Sequence, residues 1–525
     1  MPSSAVVLSI SVIYLLASLI IGMAPSKQTS DSAAGFVAGD RTLGLVVMYF
    51  ITGATAFSAF AFLGGPGRTF AKGAAAFYIL GYGALGLVPF YFLGPRAARV
   101  GRAYGLVTQA QMVAVRFNLP LLSTVMAVLS IVAFVPYLAL QMQGAGMVLN
   151  TVTRGQVPQW AGAAIVYAVV LIYVLRSGVL GVGWTNTFQG IFMMVLAWGL
   201  GLYLPYHLYG GLEPLFQRIA EEKPELLLAP GLTSSGANWS WGEYSTAVLV
   251  SIVGYVMWPH LFMKAFTAKD ERTIKRTVLL YPTFQIFLLP LFVIGYCGVF
   301  FEPAPPAADQ ILPHMLMNTE IPAVVVGLFC AGALAASMSS GDAMAHAAAS
   351  IAVRDGYVAG TEHALDPHRE RQLIRWAVVG VVVSAYVVAV VYTGSLVVLL
   401  LTTYGAVVQF APAVYASLYL KRVRGRAVLI GLVAGSLVTG LFVAMPHWRP
   451  FSVHAGIYGL VINAALLFLL SRNCQPSELD EQFVAAAGGS SASAPHAQRV
   501  SVHTLRDGNA TEPRRMDPVY SDPDH

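Results

Sequence analysis

The chain has 525 residues, of which 57% are hydrophobic and 11% charged, with a formal net charge of +6 and a mean hydropathy of +0.67. Repeated apolar runs near 20 residues on that background predict an all-α integral membrane protein and exclude a water-soluble core. The basic residues are spread through short loops rather than gathered in one domain, which excludes a nucleic-acid partner and leaves the lipid bilayer as the surroundings.

Thirteen apolar runs read as spans, at 4–24, 43–64, 73–95, 121–149, 159–175, 181–206, 244–265, 277–301, 321–353, 373–393, 395–419, 426–445 and 452–471. The first has no basic stretch before it, so it reads as a retained span rather than a cleaved signal peptide. An odd count puts the termini on opposite faces. With the N-terminus outside, only Arg68, Lys72, Arg154, Arg218, Lys223 and Arg449 of the 31 Lys and Arg residues fall outside, the orientation that the positive-inside rule selects. Cys297, Cys330 and Cys474 have neither metal-like nor paired spacing. The preference for Arg over Lys and the abundance of Ala suggest a bacterial source, hence an inner (plasma) membrane with the C-terminus in the cytoplasm. Tyr209 to Gly242 forms the one long external loop, and from 473 to 525 the Ser-, Ala-, Pro- and charge-rich chain reads as a disordered cytosolic tail.

Two spans are broken. The second carries TGATAFSAFAFLGGPG, small and hydroxyl residues where Leu and Val are expected; the seventh carries VSIVGYVMWPH, with Gly254 and Pro259 inside the run. Interrupted spans at matching places in two halves point to the binding site of a secondary transporter. These two lie five spans apart, and an odd repeat length inverts the second unit relative to the first. Unwound backbone in mid-membrane frees carbonyls, which must then face protein or a ligand. A proline kink used only for packing is the alternative.

The run Ala331 to Tyr357 holds an Asp and a His within a hydrophobic stretch. As a helix it places Ala336, Ser339 and Ser340 on one face, two hydroxyls and a carbonyl suited to a small hard cation. Ala333, Ala343 and Ala347 allow another helix to approach closely, and packing alone is the competing reading. Asp342 and His346 stand at i and i+4. Arg354 and Asp355 are expected where the helix meets water, which sets Asp342 roughly 18 Å deeper, where a carboxylate usually faces a polar pathway or partner.

Six stretches together resemble the sodium/solute symporter family, which includes proline, pantothenate, monocarboxylate and sodium/glucose carriers: GFVAGDRTLG at 35–44, GATAFSAFAFLGGPG at 53–67, GVGWTNTFQG at 181–190, YVMWPHLFMKAFTAKDERTIKR at 255–276, SMSSGDAMAHAAASIAVRDGY at 337–357 and YGAVVQFAPAVYASLYLKR at 404–422. The resemblance covers about residues 5–470 and implies a leucine-transporter-like fold. In that layout 1–42 is a leading helix and inner loop, 43–206 and 244–420 are two inverted five-helix repeats around an external loop at 207–243, 421–472 holds two trailing helices and 473–525 is the tail. The family implies Na⁺ as a co-transported ion, held here by the carbonyls of Ala54, Phe57 and Ala336 and the hydroxyls of Ser339 and Ser340. Thr55, Ala56, Ser58, Phe60, Gln141, Gln143, Tyr255, Trp258 and Gln409 are the candidates for contact with a small organic solute. The Tyr-Val-Met-Trp-Pro-His stretch resembles the monocarboxylate and pantothenate branch, which implies a small carboxylate.

Three departures bear on mechanism. Asn186 stands where many members carry Asp, which argues against a second sodium. Ala56 replaces the acidic residue of the proline carriers, and Lys264 replaces an Arg, keeping a charge expected at the inner face without the bidentate fork. Asn186, Asp342 and His346 are therefore the candidate coupling residues, with Asp342 balancing the cation, contacting the solute, passing a proton through His346 or serving as a structural hydrogen bond. The sequence expectation is a sodium-coupled importer working by alternating access. A proton-coupled version using Asp342 and His346 is the first alternative; a membrane sensor is a distant one, since the tail lacks a signalling motif. No metal cluster or nucleophilic triad is visible in the spans, so an enzyme is not expected.

Overall fold

Backbone N–H and C=O groups inside a bilayer must be paired along their own segment. The computed structural model describes residues 4–27, 33–233, 235–361, 365–392 and 403–489, and among these the chain forms helices and two isolated β-bridges. In chain order the main helices are α1 (Ser4–Met23), α2 (Leu45–Ala56), α3 (Gly65–Lys72), α4 (Phe77–Gly86), α5 (Phe90–Tyr104), α6 (Gln109–Phe117), α7 (Pro120–Val152), α8 (Gln159–Tyr209), α9 (Leu212–Glu222), α10 (Trp241–Tyr255), α11 (Glu271–Gln285), α12 (Leu288–Cys297), α13 (Ile311–Asn318), α14 (Ala323–Ile351), α15 (Pro367–Val391), α16 (Phe410–Tyr419), α17 (Gly425–Ala444), α18 (Ala455–Ser471) and α19 (Glu478–Gly488). Among the described residues seven helices are long and apolar enough to cross a membrane, and two bent pairs bring the number to nine. The start of the expected span 395–419 lies outside the described residues; its second half is α16.

Both breaks fall where the small residues, Gly and Pro were noted. α2 stops at Phe57 (φ −88°, ψ 74°), and the chain resumes through a wide π turn at Phe60–Gly64, the two arms meeting at 56°. α10 stops at Tyr255, and the chain restarts at Pro259, bent by 46°. Pro259 at a helix start has no N–H to lose and its fixed φ suits the first turn. A parallel bridge joins Leu43, just before α2, to Ala268, just after the second broken segment, through Leu43 N–H to Thr267 O (3.2 Å) and Lys269 N–H to Leu43 O (3.0 Å). One broken span therefore leaves the point where the other arrives, and the two run in opposite senses, as inverted repeats require.

α8 is two helices merged at Gly178, whose φ of +55° only glycine adopts without strain; a Cβ there would meet the Phe36 carbonyl oxygen at 2.6 Å. α14 runs through the middle of the molecule against α1, α2, α7 and α8, and every residue from Phe329 to Ile351 is buried. Its small residues permit this: a Cβ on Gly341 would stand 2.2 Å from the Tyr167 hydroxyl.

Two surface expectations are corrected. Asp355 does not meet water; α14 continues through a π turn at Ala352–Val358, and the Asp355 carboxylate is buried, accepting from Thr108 Oγ1 (2.8 Å) and Ser123 Oγ (3.2 Å). Its neighbour Arg354 pairs with Glu370 at 2.7 Å. The tail is not disordered from 473 onward: α19 has a capping box at Ser477 and Asp480, and it docks on α5 and α6 by packing Phe483 against Tyr104 and pairing Asp480 with Arg116. Residues 490–525 of that expected tail lie outside the described residues.

Candidate functional site

The break after α2 and the middle of α14 meet. Ser339 Oγ donates to the Ala54 carbonyl at 3.0 Å and to its own helix at Ala336 O at 3.2 Å. Ser340 Oγ donates to the Thr55 carbonyl at 2.7 Å. All five residues are buried. The last turn of a helix leaves carbonyls without helical donors, and here hydroxyls three and four residues past Ala336 reach two of them. The junction is a cluster of neutral oxygens with no cationic side chain hydrogen-bonded to it, which suits a hard monovalent cation. Phe57, the second sodium ligand expected from this helix, ends it with its ring tilted against Phe287 at 3.8 Å between centroids. The carbonyl met by Ser340 is that of Thr55, which the motif comparison had assigned to solute contact.

One turn further along α14, Asp342 accepts from Tyr173 Oη (2.8 Å), Thr185 Oγ1 (3.1 Å) and Asn186 Nδ2 (3.1 and 3.2 Å). Asn186 Oδ1 in turn accepts from Thr55 Oγ1 at 3.1 Å. Asp342 and Asn186 thus form a single hydrogen-bonded chain to the edge of the break. Lys264, expected at the inner face, is instead buried (4% exposed) and within electrostatic reach of Asp342. Its position one helical turn past Pro259 carries it inward with the second broken segment. His346 does not join this group: its Nε2 lies 3.0 Å from the Phe36 carbonyl and its ring packs on Phe36. The i, i+4 spacing put it on the face that meets the 33–38 segment instead.

A narrow cavity of about 20 Å³, room for about one water, lies between the two breaks. Five of the candidates for solute contact, Thr55, Ala56, Phe60, Tyr255 and Trp258, line it. Tyr82, Tyr137, His260, Gln285 and Tyr404 line it too. Sequence reasoning missed these because an aromatic or amide in an apolar run looks the same whether it packs or binds. Ser58 is buried just beside it, near the Tyr137 hydroxyl but outside hydrogen-bonding geometry.

The three glutamines are corrections. Gln141 Oε1 accepts from the Ala59 N–H at 2.9 Å, and its carbonyl accepts from Ser337 Oγ at 2.6 Å, so it satisfies unwound backbone and ties α7 to α14. Gln143 donates to the Ala389 and Tyr392 carbonyls at the end of α15. Gln409 donates to Gly405 O, Thr439 Oγ1 and Gly456 O, where α17 and α18 meet. Each is spent on helix packing.

The comparisons agree with this geometry. The family model described as "Sodium:solute symporter family" matches residues 36–435. The uncharacterized symporter YhjB of Bacillus subtilis is 26% identical over 89% of this chain and 97% of its own length. A monocarboxylate transport permease protein of Rhizobium johnstonii is 22% identical over 88% of this chain and 96% of its own. A solved Na⁺-coupled sialic acid symporter in a substrate-bound outward-open state superposes with a TM-score of 0.75 at 17% identity, over 90% of this chain and 99% of that one. With two oppositely directed broken spans, the first of which meets α14 at an oxygen-lined junction, the chain belongs to the sodium:solute symporter family: a multi-pass membrane transporter, not an enzyme, that has the leucine-transporter-like fold and couples Na⁺ to a solute.

Proposed function

We propose that this protein imports a small carboxylate with Na⁺ across a bacterial inner membrane, in the thirteen-span arrangement with its N-terminus outside and C-terminus in the cytoplasm. The ion is held by the Ala54, Phe57 and Ala336 carbonyls and the Ser339 and Ser340 hydroxyls, with the Thr55 carbonyl added to the set. The observation that carries this reading is the pair of serine contacts to Ala54 O and Thr55 O. On ion arrival the hydroxyl hydrogens rotate away and present oxygen to the cation, so one ion holds the α2 break against α14. That ordering shapes the cavity, and solute then binds better with Na⁺ present; by linkage Na⁺ binds better with solute. The inward gradient and the membrane potential, worth about 2.3 kcal/mol per charge per 100 mV, drive the cycle. Asp342 balances the charge through Asn186 and Thr55, without direct contact.

The relative annotated by its name as a monocarboxylate permease supports the carboxylate class. The test is solute-stimulated ²²Na⁺ uptake into proteoliposomes with acetate, propionate, lactate, pyruvate, proline and glucose. The expected result is stimulation by one or more of the carboxylates. Uptake that continues without Na⁺ and collapses with an uncoupler would replace this reading with proton coupling.

A further inference from the structure

Two cavity-lining side chains, Trp258 and His260, flank Pro259 at the second break. Both are buried, at 1% and 3% exposure, yet neither the Trp258 indole Nε1 nor the His260 Nδ1 has a hydrogen-bond partner. The Tyr404 hydroxyl lies near the indole N–H but outside hydrogen-bonding geometry. The rings are not loose. Trp258 is fixed against Tyr137 (4.9 Å between centroids) and edge-on to Tyr404 (5.7 Å), and His260 against Phe134 (5.4 Å) and Trp258 (5.7 Å). Buried polar groups are almost always paired, and two held rigidly without partners beside a cavity call for an acceptor atom, of water or of solute, within it.

The chemistry of that atom follows from the donors. An indole N–H only donates, and a neutral imidazole carries one N–H besides its acceptor nitrogen. With the His260 proton on Nδ1, the two neighbouring donors call for a group with two acceptor oxygens. The cavity wall has no Asp, Glu, Lys or Arg, so an ammonium group would find no carboxylate there, whereas a solute anion would have two cations near it, the Na⁺ proposed at the neighbouring junction and the buried Lys264, which lies within electrostatic reach of His260. We propose that, once the cavity widens beyond the one-water volume it has here, Trp258 Nε1–H and His260 together anchor the carboxylate of the solute, with its remaining apolar or hydroxylated part lying among Tyr82, Tyr137 and Phe60. This rests on the reading that the cavity between the breaks is the solute site. His260 is thereby a specificity residue, in contact with solute and not with the ion.

The test uses the purified full chain in Na⁺ buffer and reads thermal stabilisation by propionate, lactate and pyruvate against propionamide and choline. Carboxylates are expected to stabilise the protein, propionamide less and choline not at all. Trp258→Phe and His260→Phe keep the ring packing but remove the donors, and each should raise the half-stabilising carboxylate concentration by about ten-fold or more. The stabilisation by Na⁺ alone should stay as in the parent chain, which shows that the variants fold and that the ion site is separate. The proposal falls if both variants respond to carboxylate as the parent does, if propionamide or choline matches propionate, or if no carboxylate stabilises the parent chain. In each of these cases an intact Na⁺ response that is lost in Ser339→Ala with Ser340→Ala leaves the sodium reading standing.

Discussion

Asn186 Nδ2 sits 3.1 Å from Asp342 Oδ1, while the Asn186 amide oxygen accepts from the Thr55 hydroxyl. An amide facing a buried carboxylate is an arrangement with one negative charge shared between two helices. Asn186→Asp would place a second carboxylate in that contact, where two like charges cannot both stay ionised without cost. Uptake is expected to drop at least about ten-fold in Asn186→Asp and in Asp342→Asn, for opposite reasons: excess charge in one and none in the other. The double variant exchanges amide and carboxylate across the same contact. It should recover part of the activity, the shortfall reflecting Tyr173 and Thr185, which donate only to the Asp342 side. A double-mutant cycle on Na⁺-driven uptake measures this coupling; additive losses would show that the contact is not the link.

The serine pair makes the second prediction. Ser339→Ala and Ser340→Ala each remove one oxygen and leave a carbonyl of Ala54 or Thr55 without its present donor. The half-saturating Na⁺ concentration should rise by about ten-fold or more in the double variant, with membrane insertion and the maximal rate at saturating Na⁺ less affected. The Na⁺ dependence of uptake reads it directly. Unchanged Na⁺ activation would remove both hydroxyls from the ligand set.

Gln141 supplies a prediction about stability. Its Oε1 pairs the Ala59 N–H at the point where the chain has left α2 and not yet entered the π turn. Gln141→Leu leaves that buried donor unpaired at a cost of about 1–3 kcal/mol, whereas Gln141→Glu keeps an acceptor in place. Thermal unfolding in detergent should fall clearly for Leu and less for Glu. Equal loss in both would mean that side-chain volume rather than the hydrogen bond matters.

Much of this was legible from one sequence because membrane insertion leaves few options. A span that combines Gly254 with Pro259, or carries a run of small residues, is easily broken, although single prolines such as Pro136 sit inside continuous helices here, and the hydroxyls of Ser339 and Ser340 can only be reached from one helical face. Long-range partners were less visible. Nothing local distinguishes Asp342, which turns toward α8, from His346, which turns toward Phe36. Gln141, Gln143 and Gln409 drew attention as polar residues in apolar runs, yet each is used up on a backbone group that only the packed structure reveals. His260 carries no sequence signal that separates it from a packing aromatic, and only burial without a partner sets it apart.

The tail gives the last prediction. Arg116 has a fully buried side chain, and its ion partner is Asp480 on α19, at 17% exposure. Its other guanidinium nitrogen donates to the Leu420 carbonyl at 2.9 Å, at the end of α16. On the other side Arg99 holds Glu271 at 2.6 Å and donates to the Ala487 carbonyl at 2.9 Å. α19 therefore sits where α5, α6, α11 and the end of α16 come together. Removing one partner of a buried pair strands the other charge, so Asp480→Ala should destabilise the protein by up to about 3 kcal/mol and expose the tail to protease. Lys421 and Glu481 lie 4.0 Å apart with both side chains more than half exposed, and such a pair contributes little. Glu481→Ala on the same helix should therefore leave both thermal stability and protease resistance as they are. Limited proteolysis of the three proteins side by side makes the comparison; equal protection in Asp480→Ala would mean that Phe483 and the Arg99 contact alone hold the helix in place.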